Sequence, residues 1–188
     1  TYTEVAKGQI EKSAPNYSIP QLLNLQPSVV ATTEAGSGLG YSKISVRGSD
    51  ATRINVSLNG VTINDAESQE VFWVNIPSLT SFLQSVQLQR GIGTTSNGVG
   101  SFGASIDMQT NYVSPKPYSE GELSYGSFNT VVASMGAGSG LTPSGFSFDA
   151  RYSYNTTDGY IRNGKGKLNS FFATMGYLAK RSSFKVIY

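Results

Sequence analysis

From Phe146 onward, the sequence places an apolar or aromatic residue at every second position and a small or polar residue between each pair. Phe146, Phe148, Ala150, Tyr152 and Tyr154 fall on one side, and Ser147, Asp149, Arg151, Ser153 and Asn155 on the other. Strand side chains alternate across the backbone, so this spacing predicts a strand with one aromatic face and one wet face. Phe171, Ala173, Met175 and Tyr177 repeat the pattern, and Phe184, Val186 and Tyr188 begin it again. A weaker pair, Glu120 to Ser127 and Thr130 to Gly138, precedes them, with Ser127 to Asn129 at the turn. Segments of about ten residues, apolar outward and polar inward, are what a membrane-spanning barrel strand requires. A soluble β-sandwich also alternates, and periodicity alone leaves it open. Four strands do not close a barrel, so the sequence reads as a fragment of one.

Composition narrows the field. Charged residues make up 14% of the 188, while Gly (21), Tyr (11) and Phe (9) are plentiful, a mix that favours strands with aromatic faces. The net charge is +2 with Lys and Arg scattered, which gives no electrostatic footprint for nucleic acid. The chain has no Cys and no His. Disulfides, thiol chemistry and the commonest general base are therefore absent. A hydrolytic site would have to rest on Asp, Glu, Ser or Tyr, and no local cluster recommends one, so an enzyme is not expected. No run reaches the roughly 18 apolar residues of a membrane-spanning helix. Closed β-pairing is then the remaining way for this chain to lie in hydrocarbon.

The first half is organised differently. Ile19 to Leu25 reads as a short helix with Pro20 in its first turn and Pro27 beyond its end. Ile44 to Val46 and Ile54 to Leu58 read as strands. Asn59-Gly60 fits a two-residue type I′ turn returning into Val61 to Ile63. A second short helix follows Pro77, and Val86 to Gln89 and Ser105 to Gln109 complete a small mixed sheet. Val113-Ser114-Pro115-Lys116-Pro117 interrupts both patterns. The expected organisation is an α+β unit over 1–113, followed by antiparallel transmembrane β-barrel strands of an incomplete barrel over 118–188.

Several short motifs follow in order: Ser45-Val46-Arg47-Gly48, Arg53, Leu58-Asn59-Gly60-Val61, Val86-Gln87-Leu88-Gln89-Arg90-Gly91, and Gly98 to Gly103 ahead of Ile106-Asp107-Met108. This series resembles the plug domain of TonB-dependent outer-membrane receptors over nearly all of residues 16 to 111. Ser28 stands where the family's Pro-Gly-Val has Gly, Asn59 where it usually has Asp, and Ile92 where Pro commonly follows Arg-Gly. The wording Glu70-Val71-Phe72-Trp73-Val74-Asn75-Ile76-Pro77 further resembles receptors of Bacteroidetes type.

The resemblance implies active import across the bacterial outer membrane. A plug inside the barrel, facing the periplasm, binds a small-molecule nutrient on its outer loops, and an inner-membrane energy-coupling protein of TonB type pulls on it. A ferric siderophore or other iron complex is the family's commonest cargo, with a glycan or cobalamin as alternatives. A soluble β-rich binding module without transport activity is the competing class. The implied surroundings are the lipid bilayer and, for the Bacteroidetes type, a surface lipoprotein. No cofactor is implied.

The outer loops would be Thr33 to Ser42, Thr62 to Asn75 and Thr94 to Gly100, with Tyr41, Asp65, Glu67, Gln69, Glu70, Trp73 and Asn97 as candidate substrate contacts. Phe72, Trp73 and Ile76 read more readily as core, or as wedged against the barrel wall. Arg47 and Arg90, each just before a glycine, would lock the plug to carboxylates on the barrel wall, or else simply cap strand ends. Gly48, Asn59, Gly60, Gly91 and Gly98 are the expected turn positions. Gly98-Val99-Gly100-Ser101-Phe102-Gly103 spells a dinucleotide-binding fingerprint but leads into a strand-like segment instead of a helix, so a nucleotide is not expected. Asp65, Glu67 and Glu70 lack the spacing of a calcium loop and read as a solvated acidic loop, with no metal.

Overall fold

The computed structural model describes residues 2–13, 18–34, 39–92, 102–110, 114–179 and 181–188. The chain divides into two units, Thr1–Thr110 and Asn111–Tyr188. In the first, β1 (Tyr2–Ala6) leads into α1 (Lys7–Ser13) and α2 (Ile19–Leu23). Then follow β2 (Val29–Thr33), β3 (Ser42–Val46), β4 (Ile54–Leu58), β5 (Val61–Thr62), β6 (Leu83–Arg90) and β7 (Ala104–Thr110).

The sheet of this unit is amphipathic because its strands alternate. Val86 pairs with Met108 and Leu88 with Ile106, and all four are completely buried. Each contributes about 1.5–3 kcal/mol by leaving water. The opposite face carries Glu4, Gln87, Asp107, Ser57 and Thr62 as one cross-strand row. Asp107 takes a hydrogen bond from the Ser57 hydroxyl at 2.6 Å and another from the Gln109 amide at 2.8 Å. The strand order is β1-β6-β7-β4-β5, with β4 and β7 parallel and the other pairs antiparallel. The expected mixed sheet is therefore present.

Helix α2 buries Ile19, Pro20, Leu22 and Leu23. Its entry is fixed by Gln21, whose side-chain oxygen accepts from the Ser18 backbone N–H at 3.3 Å. The helix ends at Leu23, two residues short of the expected limit. The segment after Pro77 forms a 3-10 turn, Leu79–Phe82, in place of an α-helix. The hairpin turn has both Asn59 and Gly60 at positive φ, 52° and 82°, and Asn59 also exchanges side-chain hydrogen bonds with Thr110. β1, α1 and β2 were not anticipated from the sequence. β2 pairs only with β3, in a separate two-stranded sheet.

The second unit is a five-stranded antiparallel sheet in the order β12-β11-β10-β9-β8. It comprises β8 (Tyr118–Gly126), β9 (Thr130–Gly138), β10 (Phe146–Thr157), β11 (Gly166–Leu178) and β12 (Ser183–Ile187). Phe146 lies opposite Tyr177, Phe148 opposite Met175, and Tyr152 opposite Phe171, and all six side chains are exposed on one face. The other face is polar: Ser147, Ser153, Asn155, Thr157 and Thr174 are buried there, and Ser153 and Ser170 share a hydroxyl hydrogen bond of 2.5 Å.

Two glycines of β9, which lies between β8 and β10, open a path across this polar face. Gly138 lies opposite both Tyr118 and Asp149, and Gly136 opposite both Glu120 and Arg151. The Tyr118 hydroxyl reaches over Gly138 to donate to the Asp149 carboxylate, and Arg151 reaches over Gly136 to pair with Glu120. A Cβ on Gly136 would meet Arg151 Nε at 3.0 Å. Side chains two strands apart are thus joined directly.

Ser28 occupies the left-handed region at φ 65°, where its carbonyl accepts from the Arg47 N–H at 2.8 Å. A side chain in that conformation costs about 1–2 kcal/mol relative to glycine. Ser28→Gly should therefore raise the thermal midpoint of the chain, and a lowered midpoint by calorimetry would contradict the strain.

Candidate functional site

Two arginine-glycine pairs meet at one end of the first sheet. Arg90 ends β6 and is only 8% exposed. Its Nε donates to the Pro27 carbonyl at 2.9 Å and its Nη1 to the Thr3 hydroxyl at 2.7 Å. Its Nη2 is buried without a hydrogen-bond partner among the described residues. Arg90 thus ties β1 and the turn after α2 to β6. Arg47, at φ 52°, is exposed, and its Nη1 lies 3.6 Å from where a Cβ on Gly91 would be. Gly48 and Gly91 have φ of 78° and 87°, which accounts for glycine at both positions.

The same corner closes the loop between β6 and β7. The Gly91 N–H donates to the Gly103 carbonyl at 2.8 Å, and the Gly103 N–H to the Arg53 carbonyl at 2.9 Å. A Cβ on Gly103 would lie 2.5 Å from the Ser49 Cβ, so only glycine fits. The loop's interior, including Asn97 and Gly98, lies outside the described residues.

At that end the chain beyond β5 is held by Asn64, a residue the sequence reading passed over. Its side-chain oxygen accepts from the Val56 N–H at 2.8 Å, and its amide donates to the Ile54 carbonyl at 2.9 Å and the Gln69 carbonyl at 2.8 Å. The carboxamide thereby continues the β4 edge where β5 stops. An Asn directly after a hairpin strand was the available signal, since its side chain mimics a peptide group.

The candidate contacts divide by position. Asp65 is turned onto its own loop: one carboxylate oxygen accepts from Ser68 N–H at 2.8 Å, Ser68 hydroxyl at 3.0 Å and Glu67 N–H at 3.1 Å. The Ser68 N–H, followed by the Ser68 hydroxyl, holds its carboxyl below the ordinary value of 3.8. Glu67 and Gln69 are exposed, with Gln69 at φ 59°. Glu70 is half-buried and, with Val30, Thr32, Lys43, Ile44 and Asp50, lines a cleft of about 190 Å³. That brings the second loop against the β2–β3 hairpin, whose Tyr41 is 57% exposed. Trp73 is 5% exposed and offers no surface to a ligand, so it belongs to the core, while its neighbour Phe72 is exposed. The cleft is smaller than the roughly 300–1,000 Å³ of ligand pockets. A larger hollow of about 430 Å³, between β1, α1, β6 and β7, is lined by Glu4, Lys7, Gln84, Ser85 and Gln109 and contains none of the candidate residues.

A mixed sheet with an arginine-glycine corner, followed by barrel-type antiparallel strands, defines a receptor plug and the strands that come after it. The chain belongs to the TonB-dependent receptor plug domain family, whose model matches residues 1–105. Among solved structures it is similar to the siderophore receptor PirA from Acinetobacter baumannii, at 17% identity and a TM-score of 0.75, over 99% of this chain and 30% of that one. It is also similar to the copper transporter OprC, at 13% identity and a TM-score of 0.78, over 99% and 30%. The ferric yersiniabactin uptake receptor FyuA from Yersinia pestis matches at 16% identity and a TM-score of 0.68, over 94% and 28%. At these identities the likeness is one of fold, and the chain spans less than a third of each receptor. No curated protein sequence matches it.

Arg90→Leu should destabilise the chain by about 1–3 kcal/mol, because it strands the Thr3 and Pro27 acceptors. Hydrogen exchange of the β1 amides should speed up, and unchanged exchange would remove the clamp assigned to Arg90. For Asp65 the folded pKa is depressed, so its contribution is present above the ordinary carboxylate value and lost as pH falls through the folded one. The Ser68 amide should lose protection over that acidic window, and Asp65→Asn should show weak protection at every pH.

Proposed function

We propose that this chain is the plug and first barrel strands of a bacterial outer-membrane receptor that actively imports a ferric siderophore or another iron complex. The observation that carries it is the second sheet. Its exposed face is aromatic along β10 and β11, and its other face is a hydrogen-bonded polar surface, the arrangement a strand needs between lipid and a filled lumen. The resemblance to receptors named for siderophores and to a copper transporter supports a metal complex as cargo.

In this reading the plug occludes the barrel and faces the periplasm. Tyr41, Glu67, Gln69 and Glu70, with Asn97 of the third loop, meet the cargo together with outer loops of the barrel, while Asp65 holds the second loop in shape. Arg90 Nη2, buried and without a hydrogen-bond partner among the described residues, is where an inward-pointing barrel carboxylate would add a charge-assisted hydrogen bond. An inner-membrane protein of TonB type supplies the pull. Import of this kind requires binding, occlusion and displacement, with no covalent step.

Deleting the gene should abolish growth on a ferric siderophore as sole iron source, and the cloned gene should restore it only in a strain with a working energy-coupling protein. Normal uptake of ferric siderophore, cobalamin and glycans by the deletion strain would overturn the import reading. A selective loss of cobalamin or glycan uptake would reassign the cargo.

A further inference from the structure

Asparagine is followed by glycine at Asn59-Gly60, Asn97-Gly98 and Asn163-Gly164, of which the second lies outside the described residues. An asparagine in this setting is open to attack by the next backbone nitrogen, because glycine has no Cβ to block the approach. Asn59 and Asn163 are both left-handed, at φ 52° and 67°. Their carboxamides are held very differently.

Asn59 is tied down on both sides. Its Nδ2 donates to the Thr110 hydroxyl at 3.0 Å, its Oδ1 accepts from the Thr110 N–H at 3.0 Å, and its own N–H donates to the Met108 carbonyl at 2.8 Å. Thr110 is buried, so water does not readily replace these bonds. Turning the Asn59 Cγ onto the Gly60 nitrogen would break both side-chain bonds and open the hairpin that Leu58 and Val61 close. Asn163, by contrast, is exposed in the β10–β11 connection, and nothing among the described residues holds its carboxamide. The Gly164 N–H donates to the Ile161 carbonyl at 2.8 Å, which closes a four-residue turn with a left-handed third residue, as in type II. The flanking Lys165–Asp158 pair has a lysine side chain 77% exposed and adds little resistance to opening.

We propose that Asn163 is a site of spontaneous deamidation in the folded protein, and that Thr110 withholds Asn59 from the same reaction. The Gly164 nitrogen gives its proton to solvent base and bonds to the Asn163 Cγ. The Cγ–Nδ2 bond breaks, and the leaving nitrogen takes a proton from water and departs as ammonia, which leaves a five-membered cyclic imide. Water then adds to the imide and breaks one of its two ring C–N bonds. One cleavage gives aspartate, and the other gives isoaspartate, whose backbone runs through the former side chain. Either product lowers the chain's net charge of +2 by one and gives the connection a second carboxylate, beside Asp158, to match Arg162 and Lys165. Isoaspartate also lengthens the connection between β10 and β11 by one carbon. The inference is independent of the import reading.

The full-length protein, purified in nonionic detergent, is incubated at mildly alkaline pH, and its chymotryptic peptides are followed by mass spectrometry for conversion of amide to acid. Asn163 should convert about 25-fold faster than Asn59, about fivefold for each of the two Thr110 bonds that Asn59 must also break. In denaturant the two sites should convert at closely similar rates. Thr110→Val, which removes the hydroxyl and keeps the N–H, should speed Asn59 about fivefold and leave Asn163 unchanged. Thr110→Ser, which keeps the hydroxyl, should hold Asn59 at its slow rate. Equal rates at Asn59 and Asn163 in the folded protein, or conversion of Asn163 in denaturant alone, would overturn the site. Equal speeding of Asn59 by both Thr110 variants, or by neither, would overturn the role given to the Thr110 hydroxyl.

Discussion

Hydrocarbon offers nothing to a peptide N–H or C=O, so a chain lying in it must pair every backbone polar group with itself. In the proposed outer-membrane reading, that requirement governs the second unit. β9, β10 and β11 have ladder partners on both sides, while β8 and β12 are the edges of the sheet. An edge strand in lipid would leave a row of unpaired groups, which is why such sheets close on themselves. The five strands therefore make sense as part of a larger ring, and the matched receptors, of which this chain spans 23–32%, are of the size to supply the rest.

Backbone closure also explains how the side chains are spent. With the ladder bonds fixed, outward positions need only be apolar, and inward positions must satisfy one another. β9 solves the second problem by omission: Gly136 and Gly138 leave room for Arg151 and Tyr118 to reach partners two strands away. A larger residue at Gly136 would separate a charge from its counterion, and one at Gly138 would break the hydrogen bond from the Tyr118 hydroxyl to the Asp149 carboxylate. In the plug sheet the same alternation separates the buried row through Val86 and Met108 from the polar row through Gln87 and Asp107.

Elements whose evidence is periodic were legible from sequence, and those held by single side chains were not. β4 and β9 have the expected bounds, since alternation and a turn signal lay at their ends. β1 and β2 carry too few apolar residues in five to show a period, and each is held by one partner strand. Tertiary bonds do the rest: Arg90 reaches Thr3, 87 positions away. The candidate loops were placed by resemblance, but Asp65 and Trp73 show why residue type misleads there. A carboxylate two and three residues ahead of free N–H groups folds back on them, and an indole beside a sheet packs beneath it.

Arg90 shows how a single side chain ties down an edge strand of the first unit. A guanidinium removed from water is costly unless its donors are used, and here two of its three nitrogens are satisfied by Thr3 and Pro27, while the third has no partner among the described residues. The two bonds it makes hold the edge strand β1, which pairs with β6 alone and buries one apolar side chain, Val5. A strand held by so little apolar area owes its place to the arginine.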